Sequence, residues 1–136
     1  MIAADTSAIV AIIFDEPERP EFTAAIEEAP KVLISSVSVV ETKIVLQYRW
    51  GMRGVLLAND LFSLPQFEII PPSVADVDAA ISAYLLYGKG NGHRAALNFG
   101  DVFSYALAKT RDLPLLYKGN DFLETDLRPA VIRVSG

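Results

Sequence analysis

The sequence predicts an α/β fold with a mainly parallel central sheet in three layers, and three observations predict it. Short apolar runs that suit buried strands alternate with longer segments that suit helices. The 136 residues match the usual size of one domain, so a single unit over 1–136 is expected. Hydrophobic residues make up 51% and charged residues 21%, the balance of a packed globular protein rather than a disordered one.

The elements follow in order. Residues 1–4 read as a short strand ending at Asp5. Residues 6–14 are apolar on every side, which predicts a buried helix. Residues 17–28 are rich in charge and suit a second, more exposed helix. Val32–Ser35 is a short apolar run between turn residues, hence a buried strand. Residues 38–49 have helical periodicity, and Gly51 marks the stop. Residues 53–64 suit an amphipathic helix ended by Pro65. Phe67–Ile70 reads as a strand stopped by Pro71 and Pro72. Residues 73–87 suit a helix with Asp76 and Asp78 in its first turn, where the helix dipole favours them. A polar, glycine-rich loop covers 88–94. A helix is expected over 101–112, a strand over 113–117, a turn through Asp121 and a last strand over 131–134. No repeat or low-complexity segment interrupts this order.

Composition narrows the function classes. With no cysteine, disulfide scaffolds and Cys-based zinc sites are excluded, and a cytoplasmic, reducing setting is compatible. No apolar run approaches the ~18 residues needed to span a membrane, so no membrane association is expected. The apolar N-terminus lacks a basic region and carries Asp5, which argues against a signal peptide. The net charge of −5 taken alone argues against a nucleic-acid binder. Its distribution softens that objection. Residues 1–42 hold Arg19 and Lys31 against eight acids, whereas residues 79–136 hold seven basic residues against five acids. Bound divalent ions would also reverse the local sign.

Four acids sit in unusual surroundings. Asp5 lies between a buried strand and an all-apolar helix. Glu41 is in line with Val37, Ile44, Val45 and Tyr48 on an apolar stripe. Asp101 opens a helix apolar around most of its circumference. Asp121 follows the run Leu-Pro-Leu-Leu-Tyr and a short turn. Each has a plain structural alternative. Asp5 could cap the first helix. Glu41 could close a capping box with Ser38. Asp101 could serve its own helix dipole, and Asp121 could be a turn residue. Together the four are harder to dismiss, because carboxylates buried near one another need a cation to join them. Strand ends also form the crevice where α/β sheets bind ligands. All-oxygen ligation favours Mg²⁺ or Mn²⁺ over zinc. The single histidine, His93, cannot build a His-rich zinc site, and with no cysteine and no serine elbow a covalent hydrolase is unattractive.

These four acids in this order resemble the PIN-domain ribonucleases, and specifically the VapC-type toxins of bacterial toxin–antitoxin pairs. The matching segments are Asp5-Thr6-Ser7-Ala8, Ser38-Val-Val-Glu41-Thr42, Leu97-Asn-Phe-Gly-Asp101 with the helix that follows to Lys109, and Leu115-Leu-Tyr-Lys-Gly-Asn-Asp121 continuing to Asp126. The resemblance covers nearly the whole chain. It implies a three-layer α/β/α fold and Mg²⁺- or Mn²⁺-dependent endonucleolytic cleavage of RNA. It carries Asp5, Glu41, Asp101 and Asp121 over as metal-binding catalytic residues and Thr6 as a supporting hydroxyl, with Asp126 helping through water. It also implies a VapB-type antitoxin partner and a homodimer.

Phosphodiester cleavage needs an activated water, charge neutralisation on the phosphate and help for the leaving alkoxide. Asp5 and Asp101 are expected as principal metal ligands, with Glu41 and Asp121 completing the shell or orienting water. RNA must be held by positive charge. Lys89, His93 and Arg94 in the glycine-rich loop and Lys118 beside Asp121 are the candidates for phosphate contact; the alternative is a solvated loop and an exposed turn lysine. Arg49-Trp50-Gly-Met-Arg53 could stack on a base, but reads better as a helix C-terminus with basic residues facing its dipole. Three rival readings remain: a receiver-like regulatory module, a catalytically silent PIN-like binding module, and a small-molecule phosphatase. Asp5 stands alone after its strand, the four acids are intact, and no Asp-x-Asp nucleophile pair is evident, which argues against them in turn.

Overall fold

The computed structural model describes residues 1–132. Their elements are β1 (Ile2–Ala4), α1 (Thr6–Ile13), α2 (Arg19–Glu28), β2 (Val32–Ser35), α3 (Ser36–Trp50), α4 (Met52–Phe62), β3 (Phe67–Ile70), α5 (Val74–Tyr87), α6 (Phe99–Arg111) and β4 (Leu115–Leu116). The sheet order is β3-β2-β1-β4, and every described strand pair is parallel. Parallel pairing forces each connection through a crossover, which the helices supply. The expected three-layer α/β/α architecture is what forms.

Register explains the two cores. Ala3 pairs with Leu33 and Leu115, and Ala4 pairs with Leu116. Side chains alternate across a strand. Ala3, Leu33 and Leu115 therefore share one face, packed with Ala80 and Ala83 of α5 and Val102, Ala106 and Leu107 of α6. Ala4, Val32, Ile34 and Leu116 share the other, packed with Ile9 and Ile12 of α1 and Phe22 and Ile26 of α2. Among the described residues no helix is long and apolar enough to cross a membrane.

Three local expectations are corrected. Helix α3 begins directly after β2, capped by Ser35, whose hydroxyl accepts from Val37 N at 3.2 Å. Ser38 therefore lies inside the helix and is fully buried, and the Ser38–Glu41 capping box does not form. The stripe of Ile44, Val45 and Tyr48 faces outward, with Tyr48 95% exposed, while Ser38, Val39, Thr42 and Leu46 face inward. Helix α6 begins at Phe99, two residues earlier than expected, because Asn98 and Asp101 form a reciprocal capping box. The expected last strand at 131–134 extends outside the described residues. Just before it, Pro129 makes a parallel bridge to Leu115, and Ala130 N donates to the Leu115 carbonyl at 2.8 Å.

Candidate active site

Because the strands are parallel, their carboxyl ends share one edge of the sheet. The sheet builds outward from β1 to β2 and β3 on one side, then crosses back to place β4 on the other. That reversal opens a crevice at the end of β1. Asp5 follows β1 directly and caps α1. Glu41 lies in the second turn of α3, the helix that follows β2. Asp101 occupies the first turn of α6. Asp121 follows β4 after a turn that includes Gly119.

Asp5 is 2% exposed and held by three donors. Its Oδ2 accepts from Ser7 N at 3.0 Å and Ser7 Oγ at 2.7 Å, and its Oδ1 accepts from Ser104 Oγ at 2.6 Å. Ser104 is fully buried and lies 3.1 Å from Ser38 Oγ. Ser7 Oγ also accepts from Lys118 N at 3.0 Å, tying the start of the Asp121 turn to α1. Sequence reasoning singled out neither serine. The signal for Ser104 was a hydroxyl three residues after Asp101, on the same side of a largely apolar helix.

The other acids meet around this anchor. Thr6 Oγ1 donates to the Ser38 carbonyl at 3.1 Å and also lies against Glu41. Burial raises the Glu41 carboxyl above its ordinary value, with the Asp5 charge adding to it, while Thr6 opposes the rise. Asp101 is 8% exposed and pushed up to about 7. Burial is the largest cause, and the charges of Asp5, Asp121 and Glu41 add to it against the backbone bond from Asn98. Asp101 thus feels the other three carboxylates as one cluster. The structure brings all four sequence-predicted acids together.

Two features of the fold tolerate this charge. The N-termini of α1 and α6 both open at the cluster, placing partial positive charge there. Gly100 presents only backbone to the Glu41 carboxylate, leaving it room beside Asp101. Among the described residues no ion pair reaches any of the four acids. Nor, among the described residues, do any three His or acidic side chains stand close enough together to hold a metal ion as they are placed. A set of oxygen donors with unneutralised negative charge fits a hard divalent cation, which would draw the carboxylates inward.

The remaining candidates divide. Asp126 accepts from Tyr105 Oη and Lys109 Nζ, both at 2.6 Å, so its carboxylate is committed to α6. Lys118 Nζ is paired with Glu16 at 2.7 Å and Glu18 at 3.4 Å. His93 is half-buried, its Nδ1 accepting from Ala95 N at 3.0 Å and its ring edge-on to Tyr87. Lys89 and Arg94 are exposed, and Lys89 borders an apolar groove with Ile81, Tyr84, Phe99 and Phe103. A fifth acid, Asp76, lies in the first turn of α5 as expected and is buried there. Arg111 at 2.9 Å and Thr110 at 2.7 Å satisfy it, and their bonds, with that from Ser73 N, lower it to about 2 despite its burial. It is a structural acid.

The family model described as PIN domain matches residues 2–127. The chain is similar to Ribonuclease VapC30 of Mycobacterium tuberculosis, with 43% identity over 123 residues, covering 90% of this chain and 93% of that protein. Among solved structures it is similar in fold to VapC20 of Mycobacterium tuberculosis, described as a sarcin–ricin loop cleaving toxin, with a TM-score of 0.74 at 17% identity, covering 93% of this chain and 96% of that one. It is also similar in fold to a toxin–antitoxin complex from Klebsiella pneumoniae, with a TM-score of 0.66 at 22% identity, covering 98% of this chain and 97% of that one.

Proposed function

The chain belongs to the PIN-domain family, and from that premise we infer that it is a metal-dependent endoribonuclease, the toxin of a toxin–antitoxin pair that inhibits translation by cutting RNA. The observation that carries this reading is the approach of Asp5, Glu41 and Asp121, from three distant segments, to Asp101, whose carboxyl is pushed up to about 7 by burial first and then by those three charges. The name and 43% identity of the mycobacterial ribonuclease support it.

Asp5 and Asp101 would be the principal ligands of a Mg²⁺ or Mn²⁺ ion, and Glu41 and Asp121 would complete the shell or orient water. When bound, such an ion neutralises charge on the scissile phosphate and lowers the pKa of water. The chain's own residues do the rest. Ser7 and Ser104 fix the Asp5 carboxylate through three donors. Thr6 and the bare backbone of Gly100 place Glu41. Without a cation, Asp101 keeps a proton on its carboxyl up to near-neutral pH, and positive charge at the site would release it. Exposed Lys89 and Arg94 offer charge for phosphate contacts, with His93 beside them. Lys118 would contribute only by exchanging Glu16 and Glu18 for phosphate.

A VapB-type antitoxin and a second copy of the chain are the proposed partners. Apolar side chains exposed along α3 (Val40, Ile44, Tyr48) and along α5 (Ile81, Leu85, Leu86) support this, since isolated monomers rarely leave such stripes uncovered.

The test is cleavage of a mixed transfer and ribosomal RNA pool by antitoxin-free protein, with Mg²⁺ or Mn²⁺, with EDTA, and with Asp5→Ala in parallel. Discrete cuts that need metal and vanish in Asp5→Ala are expected. Failure of folded, metal-supplied protein to cut any RNA in the pool would count against the nuclease reading.

A further inference from the structure

Asp121 differs from the other three acids. Asp5 and Asp101 are buried and Glu41 is half-buried, but Asp121 is exposed, on a turn, and near enough for its charge to act on Asp101. An exposed turn keeps a fixed place beside Asp101 only if it is tied down on both sides, and this one is. Upstream, Lys118 N is tied to Ser7 Oγ. In the middle, Phe122 is buried against Tyr117 with ring centroids 5.3 Å apart. Downstream, the turn closes on Asp126, where Tyr105 and Lys109 donate from α6 at 2.6 Å each.

The placement of those two donors is informative. Asp101, Tyr105 and Lys109 follow one another at steps of four along α6, so they share one side of the helix. The helix that carries Asp101 at its N-terminus therefore also grips the far end of the Asp121 turn. Lys109 and Tyr105 hold the Asp126 carboxyl below its ordinary value against the effect of burial, so it stays charged. Its charge is spent on Lys109 rather than added to the acid cluster. We propose that Tyr105 and Lys109, acting through Asp126, are positioning residues that set Asp121 against Asp101, with α6 as the ruler between them. This assigns Asp126 an anchoring role in place of the water-mediated role that the family resemblance implied, and it rests on the metal-dependent reading above.

The test measures Mn²⁺ binding to the full-length protein, without RNA, from loss of the free-ion electron paramagnetic resonance signal. Tyr105→Phe keeps the ring and removes the hydroxyl, and Lys109→Met removes the ammonium. Each is expected to weaken Mn²⁺ binding by about 10-fold, whereas Lys109→Arg retains it. In an Asp121→Asn background the same changes should have no further effect, because they act through Asp121. Wild-type-like Mn²⁺ binding by folded Tyr105→Phe would overturn the proposal, as would an equal loss in the Asp121→Asn background. If the wild type takes up no Mn²⁺, the metal reading falls, and amide exchange across 119–125 decides the anchor alone. Faster exchange there in Tyr105→Phe would support it, and unchanged exchange would overturn it.

Discussion

The backbone of Gly100 lies directly against the Glu41 carboxylate: a Cβ at position 100 would fall 2.6 Å from Glu41 Cδ. Helix propensity alone would make Gly100→Ala stabilising by up to about 1 kcal/mol. The contact predicts a different outcome, because the added methyl must push Glu41 away from Asp101. RNA cleavage by Gly100→Ala should fall at least about 10-fold, with circular dichroism unchanged. Wild-type cleavage by that variant would show that Glu41 has no fixed place in the site.

Ser104 makes the second prediction. Its hydroxyl donates to Asp5 and sits beside Ser38 in a fully buried position. Ser104→Ala leaves Asp5 Oδ1 without that donor at a cost of about 1–3 kcal/mol. Urea unfolding should report this loss, and cleavage should drop with it because the Asp5 carboxylate gains a rotamer. Ser104→Thr, which keeps the hydroxyl, should retain more of both. Equal behaviour of the alanine and threonine variants would rule out a hydrogen-bonding role.

Asp5, Asp101 and Asp121 were legible because each carboxylate stood on an otherwise apolar segment and followed a strand or opened a helix, whereas Glu41 was reached through a stripe that faces outward. The serines that hold Asp5 were not legible. The Ser104–Asp5 bond joins residues 99 apart, and a serine in a helix is unremarkable until its partner is known. Helix α3 misled for a related reason. Its sequence carries two stripes, and the more apolar one faces outward. The inward stripe tolerates Ser38 and Thr42 because their polar atoms are satisfied there, Thr42 Oγ1 by the Ser38 carbonyl at 2.7 Å and Ser38 Oγ by Ser104. The parallel sheet was readable from the alternation of strands and helices, but the order β3-β2-β1-β4 was not, since alternation does not say on which side each crossover returns. The start of α6 was readable in principle, since Asn98 stands three residues before Asp101.

Asp76 and Arg111 provide a control for arguments about buried acid. The pair ties α5 to the last turn of α6, at the opposite end of that helix from Asp101, with Asp76 3% exposed. Asp76→Ala strands Arg111 and opens the α5 cap, so a loss of about 3–5 kcal/mol is expected. Mn²⁺ affinity of the protein that remains folded should be unchanged. A large fall in affinity would mean that the α5–α6 packing feeds into the metal site.

Asp76 and Asp101 predict opposite responses to pH. Asp76 is lowered from 3.8 to about 2, so its stabilisation is present above 3.8 and is lost as pH falls through 2. Asp101 is raised from 3.8 to about 7, so its favourable contribution is complete below 3.8 and is lost as pH rises through 7. That loss amounts to roughly 4 kcal/mol at most, and Glu41 shifts in the same direction. Metal-free protein in EDTA should therefore unfold at lower urea at pH 8 than at pH 5, and Asp101→Asn should flatten the difference while abolishing cleavage. A divalent cation competes with the proton, so saturating Mn²⁺ should raise the melting temperature more at pH 8 than at pH 5. Metal-free stability that does not fall between pH 5 and 8, in the wild type and Asp101→Asn alike, would mean that the four carboxylates are not crowded as described.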